Sequence, residues 1–83
     1  MNKKYLREFI AALMERKGKS EIEDFLEGIL TIQELDEIPK RLQIVKMLKK
    51  GIHQREIAAS LGVGISTVTR GSIEIKKGRF KNI

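Results

Sequence analysis

Gly62 is the residue that most constrains what this chain can fold into. It separates two short runs, 54–61 and 64–70, whose apolar positions recur at helical spacing: Ile57 and Leu61 in the first, Ile65 and Val68 in the second, with Val63 between them. A glycine after the last apolar residue of a helix closes that helix in a left-handed conformation at little steric cost. The chain therefore reads as a helix, a tight turn and a second helix, with Ala58 small where the two must approach closely. Ile65 and Val68 are expected to face inward, and Ser66, Thr67, Thr69 and Arg70 outward. This is the helix-turn-helix geometry of DNA readers, and short polar side chains at the start of a helix suit a major groove. The same pattern also serves helix pairs in all-helical domains that bind no DNA, where Ile57, Leu61 and Val68 are core just the same.

The preceding residues extend the helical pattern to the amino end. Tyr5, Leu6, Phe9, Ile10, Leu13 and Met14 recur at helical spacing, and Gly18 is expected to end that helix. Ser20 and Glu23 form a capping-box pair that starts a second helix bearing Ile22, Phe25, Leu26, Ile29 and Leu30. Thr31 and Glu34 repeat the signature at once, so the chain turns at Leu30-Thr31 into a third helix with the stripe Leu35, Ile38, Leu42, Val45 and Leu48, closed by Gly51. Pro39 interrupts this stripe. A proline inside a helix costs about 3 kcal/mol, so a break that leaves Pro39 in the first turn of a new segment is expected. No strand alternation or internal repeat occurs. The fold class is all α, about five helices with a carboxy-terminal helix-turn-helix. The expected layout is one helical domain over 1–83, with dimerisation helices over 1–50, the reader over 53–76 and a basic tail over 77–83.

Charge follows that layout. Residues 1–49 hold ten Lys or Arg against nine Asp or Glu, whereas residues 50–83 hold seven against two. Clustered cations neutralise phosphates and release counterions, so a basic end beside a helix-turn-helix is the footprint of a nucleic-acid partner; a solvated tail of Lys76, Lys77, Arg79 and Lys81 is the plainer alternative. With 83 residues and no cysteine, the chain has a small core and no disulfide to reinforce it, which favours pairing with a second copy. Neither a signal peptide nor an apolar run near the roughly 20 residues of a membrane span is evident, which gives a cytoplasmic expectation and no membrane partner. His53 stands alone, without the neighbours a metal site needs, and is expected to cap or precede a helix. No catalytic arrangement or phosphate loop is present, so an enzyme is not expected and no cofactor is assigned.

Leu30-Thr31, Glu34, Arg41, Ile44-Val45, Leu48, Gly51, Gln54-Arg55-Glu56, Gly64-Ile65, Thr67 and Thr69-Arg70-Gly71-Ser72 together resemble the tryptophan repressor family. The most specific piece is Thr69-Arg70-Gly71-Ser72, because a generic reader has an apolar residue where Gly71 stands. Tryptophan repressors are themselves a standard example of this motif and of water-mediated base contacts. The resemblance implies an intertwined homodimer whose two reading heads lie about one DNA turn apart on an operator, with L-tryptophan as corepressor. The ligand's indole would lie between two arginines that match Arg41 and Arg70, a sensible partner for planar, permanently charged guanidinium groups. Carbonyls matching Gly28 and Leu30 would receive its ammonium, Thr31 and Gly71 would line the pocket, and Arg70 would bind its carboxylate. DNA contacts would fall to Gln54, Arg55, Gly64, Ile65, Ser66, Thr67, Thr69 and Arg70.

The chain departs from the family pattern at several places. Glu74 replaces a serine of the ligand pocket, and its carboxylate would repel a ligand carboxylate and attract an ammonium, which leaves open tryptophan, a related amine, a different ligand or none. Pro39 replaces a glycine, His53 a Ser or Thr cap, and the connection from Gly51 to Gln54 is one residue shorter. The family's last helix is expected to be cut down or lost. Three readings follow: a ligand-gated homodimeric repressor, a ligand-independent repressor-like DNA binder, and a helical protein-interaction module without a DNA role.

Overall fold

A computed structural model describes residues 1–83 and contains five helices and no strand: α1 Lys3–Met14, α2 Gly18–Ile29, α3 Ile32–Lys49, α4 Gln54–Leu61 and α5 Ile65–Lys76. The contacts divide it into two units, Met1–Leu35 and Asp36–Ile83, with the division falling inside α3.

In the first unit, α1 starts where Asn2 Oδ1 accepts the Tyr5 N–H at 3.0 Å, satisfying one of the helix's free amino-terminal donors. It ends at Met14, four residues before Gly18. Gly18 opens α2 instead of ending α1, and Lys17 holds the cap position. The Lys17 N–H donates to Glu21 Oε1 at 2.9 Å, so the helix begins before the Ser20/Glu23 pair, which forms no capping box. An acidic side chain one turn into the helix satisfies the capping amide from inside, and the start moves upstream. Phe9 and Phe25 join α1 to α2 with ring centroids 5.8 Å apart, and the Arg16 guanidinium lies 5.8 Å from the Phe25 centroid. No residue of this unit is fully buried, and Tyr5, Leu6, Ile10, Met14, Ile22, Ile29 and Ile32 are exposed.

The α2–α3 turn keeps its capping box in full. Glu34 N–H donates to Thr31 Oγ1 at 3.1 Å and Thr31 N–H donates to Glu34 Oε1 at 2.9 Å. Replacing Thr31 by alanine removes one arm of this reciprocal pair and is expected to lower stability by about 1 kcal/mol in urea denaturation.

Pro39 does not break the third helix. α3 runs unbroken for 18 residues with Pro39 inside it. The capping box fixes the start before the proline, and the buried pair Ile44-Val45 fixes the part after it, so both flanks are held in one helix. Pro39 is exposed, and its ring leaves the Leu35 carbonyl without the usual amide partner.

The second unit has a real core. Ile44, Ile57 and Val68, one from each of its helices, are at most 1% exposed, and Met47, Leu48, Ile52, Ala58, Leu61 and Val63 pack around them. The expected stripe on α3 is corrected here: Ile38 and Leu42 are exposed, and Ile44 joins Val45 in the interior. The face of α3 that packs with α4 and α5 carries Ile44, Met47 and Leu48, rotated from the line of Ile38 and Leu42. Ile65 also differs from expectation, lying 48% exposed at the first turn of α5 while Val68 alone of that pair is buried.

Candidate nucleic-acid interface and arginine-lined cavity

The turn between α4 and α5 is built as the glycine pattern requires. Gly62 has φ 67° and ψ 38°, its N–H donates to the Ala58 carbonyl, and the Val63 N–H donates to the same carbonyl at 3.1 Å. One left-handed residue thus satisfies the end of α4 and aims the chain into α5. Ala58 is half-buried against the core, where a larger side chain would push the helices apart.

Both helices start without a side-chain cap. His53 is at the cap position of α4 and Gly64 at that of α5, and neither makes a side-chain hydrogen bond to its helix. The first amides of a helix then point outward unoccupied by side chains, a geometry that suits phosphate oxygens. Arg55, Gly64, Ile65, Ser66, Thr69 and Arg70 are exposed, whereas Gln54 and Thr67 are half-buried. The Thr69 hydroxyl lies 2.9 Å from Gln54 Oε1 and 3.0 Å from the Ile65 carbonyl, so its single proton can be donated to either. Through Gln54 it ties the start of α4 to the outer side of α5.

The other side of α5 faces a cavity of about 610 Å³, within the size range of small-molecule sites. Arg41 of α3 and Arg70, Gly71 and Glu74 of α5 line it, together with Ile44, Val45, Ser66, Thr67, Arg79 and Phe80. Four of the seven residues singled out for ligand binding in the sequence therefore share one cavity. Gly28, Leu30 and Thr31 belong to the first unit: Gly28 in the last turn of α2, Leu30 at its cap and Thr31 in the capping box. Carbonyls at such a helix end have no further turn to accept from.

Gly71 has a structural cause. A Cβ there would stand 3.0 Å from Ile44 Cγ2 and 3.4 Å from Leu48 Cδ1, so the glycine lets α5 lie close against α3. Ile44 is buried and has little room to yield. Gly71→Ala gains up to about 1 kcal/mol of helix propensity but pays overpacking of roughly 1–3 kcal/mol. A net loss of about 1 kcal/mol in denaturant unfolding is expected.

Sequence reasoning missed Arg79 and Phe80. The chain does not leave α5 as a free tail: Gly78, at φ 93°, donates its N–H to the Ile75 carbonyl at 2.9 Å, and the Arg79 N–H reaches the Glu74 carbonyl at 3.1 Å. The signal was present in Gly78, placed two residues beyond the end of α5, where a glycine turns a chain back. Lys77 and Arg79, read as candidates for a solvated tail, lie 3.7 and 3.6 Å from the Glu74 carboxylate. No group of three or more His, Cys, Asp or Glu is placed to hold a metal ion, and no helix is long and apolar enough to cross a membrane.

A family model described as Trp repressor protein matches residues 4–82. Among curated proteins, a Trp operon repressor homolog of Vibrio vulnificus is 47% identical over 49 residues, which cover 58% of this chain and 48% of that protein. A Trp operon repressor homolog of Actinobacillus succinogenes is 39% identical over 69 residues, covering 82% of this chain and 68% of that protein. One from Haemophilus influenzae is 38% identical over 69 residues with the same coverage. The chain thus spans about half the length of the Vibrio relative and about two thirds of the other two. No solved structure matches it.

Proposed function

Because the chain belongs to the Trp repressor protein family, a family of regulators and not of enzymes, we propose that it represses transcription as a homodimer that binds duplex DNA and is gated by L-tryptophan or a related amine. The observation that carries this reading is the two-sidedness of α5. Gly64, Ile65 and Thr69 are exposed at its start and outer side, while Ser66, Arg70 and Gly71 line a cavity with Arg41. A ligand held between the two guanidinium groups would brace α5 against α3 and so set the angle at which the reader meets DNA. Arg70, exposed and on the cavity wall, is the residue through which occupancy would be felt at the interface.

In this reading Gln54, Arg55, Gly64, Ile65, Ser66, Thr67, Thr69 and Arg70 form the DNA surface. Residues 1–50 supply the dimer contacts and 53–76 the reader. The many exposed apolar side chains of α1 and α2, with no fully buried residue between them, favour a second copy of the chain as their cover.

The test is selection of duplexes from a random pool, with and without L-tryptophan, followed by affinity measurement across salt concentrations. Enrichment of a two-fold symmetric site, binding that strengthens with L-tryptophan and a steep fall of affinity with salt are expected. Enrichment indifferent to L-tryptophan would leave a ligand-independent reader. No enrichment at low salt would leave a helical protein-interaction module.

A further inference from the structure

The wall of the cavity formed by the segment after α5 is held from two directions. Phe80 adopts φ 61°, a conformation that a bulky side chain rarely takes. Its carbonyl accepts a hydrogen bond from the Lys49 ammonium, which also lies 3.3 Å from the Ile83 main-chain oxygen. Arg79, one residue earlier, sets its Nε 3.6 Å from Glu74 Oε2, and the side chain of Glu74 is only 22% exposed. Lys49, at the end of α3, thus fastens a hook that carries one cation and one aromatic ring to the cavity.

Glu74 is the one carboxylate among the lining residues, and Arg41, Arg70 and Arg79 are its three guanidinium groups. Left alone, Glu74 would disfavour a ligand carboxylate and favour an ammonium. Paired with Arg79, and with the Lys77 ammonium 3.7 Å from its other oxygen, it opposes the carboxylate that Arg41 and Arg70 attract far less. We propose that Arg79 and Phe80 are specificity-determining residues of this cavity: the Arg79 guanidinium neutralises Glu74, and the Phe80 ring adds an apolar wall, so that the cavity selects a planar aromatic compound bearing a carboxylate. This rests on the reading of the cavity as the ligand site. Arg79 acts through Glu74, and Phe80 acts by contact with the aromatic body.

Two probes separate charge from shape: L-tryptophan, and tryptamine, which keeps the indole and the ammonium but lacks the carboxylate. The chain contains no tryptophan, so the fluorescence of either probe reports its own binding. Wild type is expected to prefer L-tryptophan. Arg79→Ala should weaken L-tryptophan roughly two- to fivefold and strengthen tryptamine, the modest size following from a largely solvated ion pair and from the Lys77 ammonium that stays beside Glu74. Adding Glu74→Gln to Arg79→Ala should restore L-tryptophan binding, which a merely structural role of Arg79 would not do. Phe80→Ala should weaken both probes alike. An unchanged preference in Arg79→Ala, or failure of Glu74→Gln to rescue it, overturns the role of Arg79 while the cavity remains the ligand site. Unchanged affinities in Phe80→Ala overturn the role of Phe80. If L-tryptophan does not bind wild type, both this proposal and the ligand-gated reading fall.

Discussion

Arg70→Ala is expected to weaken L-tryptophan binding by roughly 30- to 150-fold, the equivalent of about 2–3 kcal/mol for a lost charge-assisted hydrogen bond and a guanidinium face. The same substitution should lower DNA affinity, because Arg70 is on the proposed reading helix as well as on the cavity wall. The side chain is exposed and makes no ion pair, so far-UV circular dichroism and the denaturation midpoint should hardly move. Fluorescence of added L-tryptophan checks the first effect, and fluorescence anisotropy of a labelled duplex, measured without and with saturating L-tryptophan, checks the second. A loss of ligand binding with DNA affinity intact in both conditions would separate the two functions that the proposal joins at this residue. Retained ligand binding would move the ligand site away from the cavity.

Ile57→Ala is expected to cost about 3–4 kcal/mol, the larger part of the stability of a unit this small. Ile57 is fully enclosed and meets Ile44 and Val68 at the centre of the only cluster of fully buried side chains. Removal of its outer carbons would leave a void that three helices, fixed by the turn at Gly62 and by the close contact at Gly71, cannot readily collapse to fill. Urea denaturation followed by circular dichroism measures the cost. A loss below about 1 kcal/mol would mean that the helices repack around the gap.

How much of this was legible in the sequence depends on how local the cause was. The αL turn at Gly62 and the capping box of Thr31 and Glu34 are local chemistry, decided within a few residues, and the structure has them as expected. Ser20 and Glu23 carry the same signature as Thr31 and Glu34, yet the helix began earlier because Glu21 could serve the Lys17 amide. A signature shows that a cap can form; competition among neighbours decides where. The cost of Pro39 taken alone favours a break, whereas the residues that hold the helix on either side keep it whole. Ile38, Leu42 and Ile65 are exposed where the periodicity predicts burial, for a different reason. Which face of a helix is buried depends on the elements that arrive to cover it, and periodicity within one helix does not contain that information.

The candidate site divides along the same line. Arg41, Arg70, Gly71 and Glu74 were found because the family resemblance singles them out, and they share a cavity. The cause of Gly71, a close approach to Ile44 and Leu48, is tertiary and could not be read from spacing. Arg79 and Phe80 were hidden by composition. A Lys- and Arg-rich stretch looks like a solvated tail until the reversal at Gly78 brings it back to Glu74.

The uneven distribution of buried residues sets the order in which the two units of this protein can fold. The unit Asp36–Ile83 holds a core of its own, whereas Met1–Leu35 contains no fully buried side chain and is joined internally by an aromatic pair. In the proposed homodimer the carboxy-terminal unit can condense on a single chain as soon as it is synthesised. The amino-terminal helices, though made first, must wait until two chains meet. Dilution would then dissolve that half of the molecule before the reader, making copy number in the cell a variable of repression in its own right.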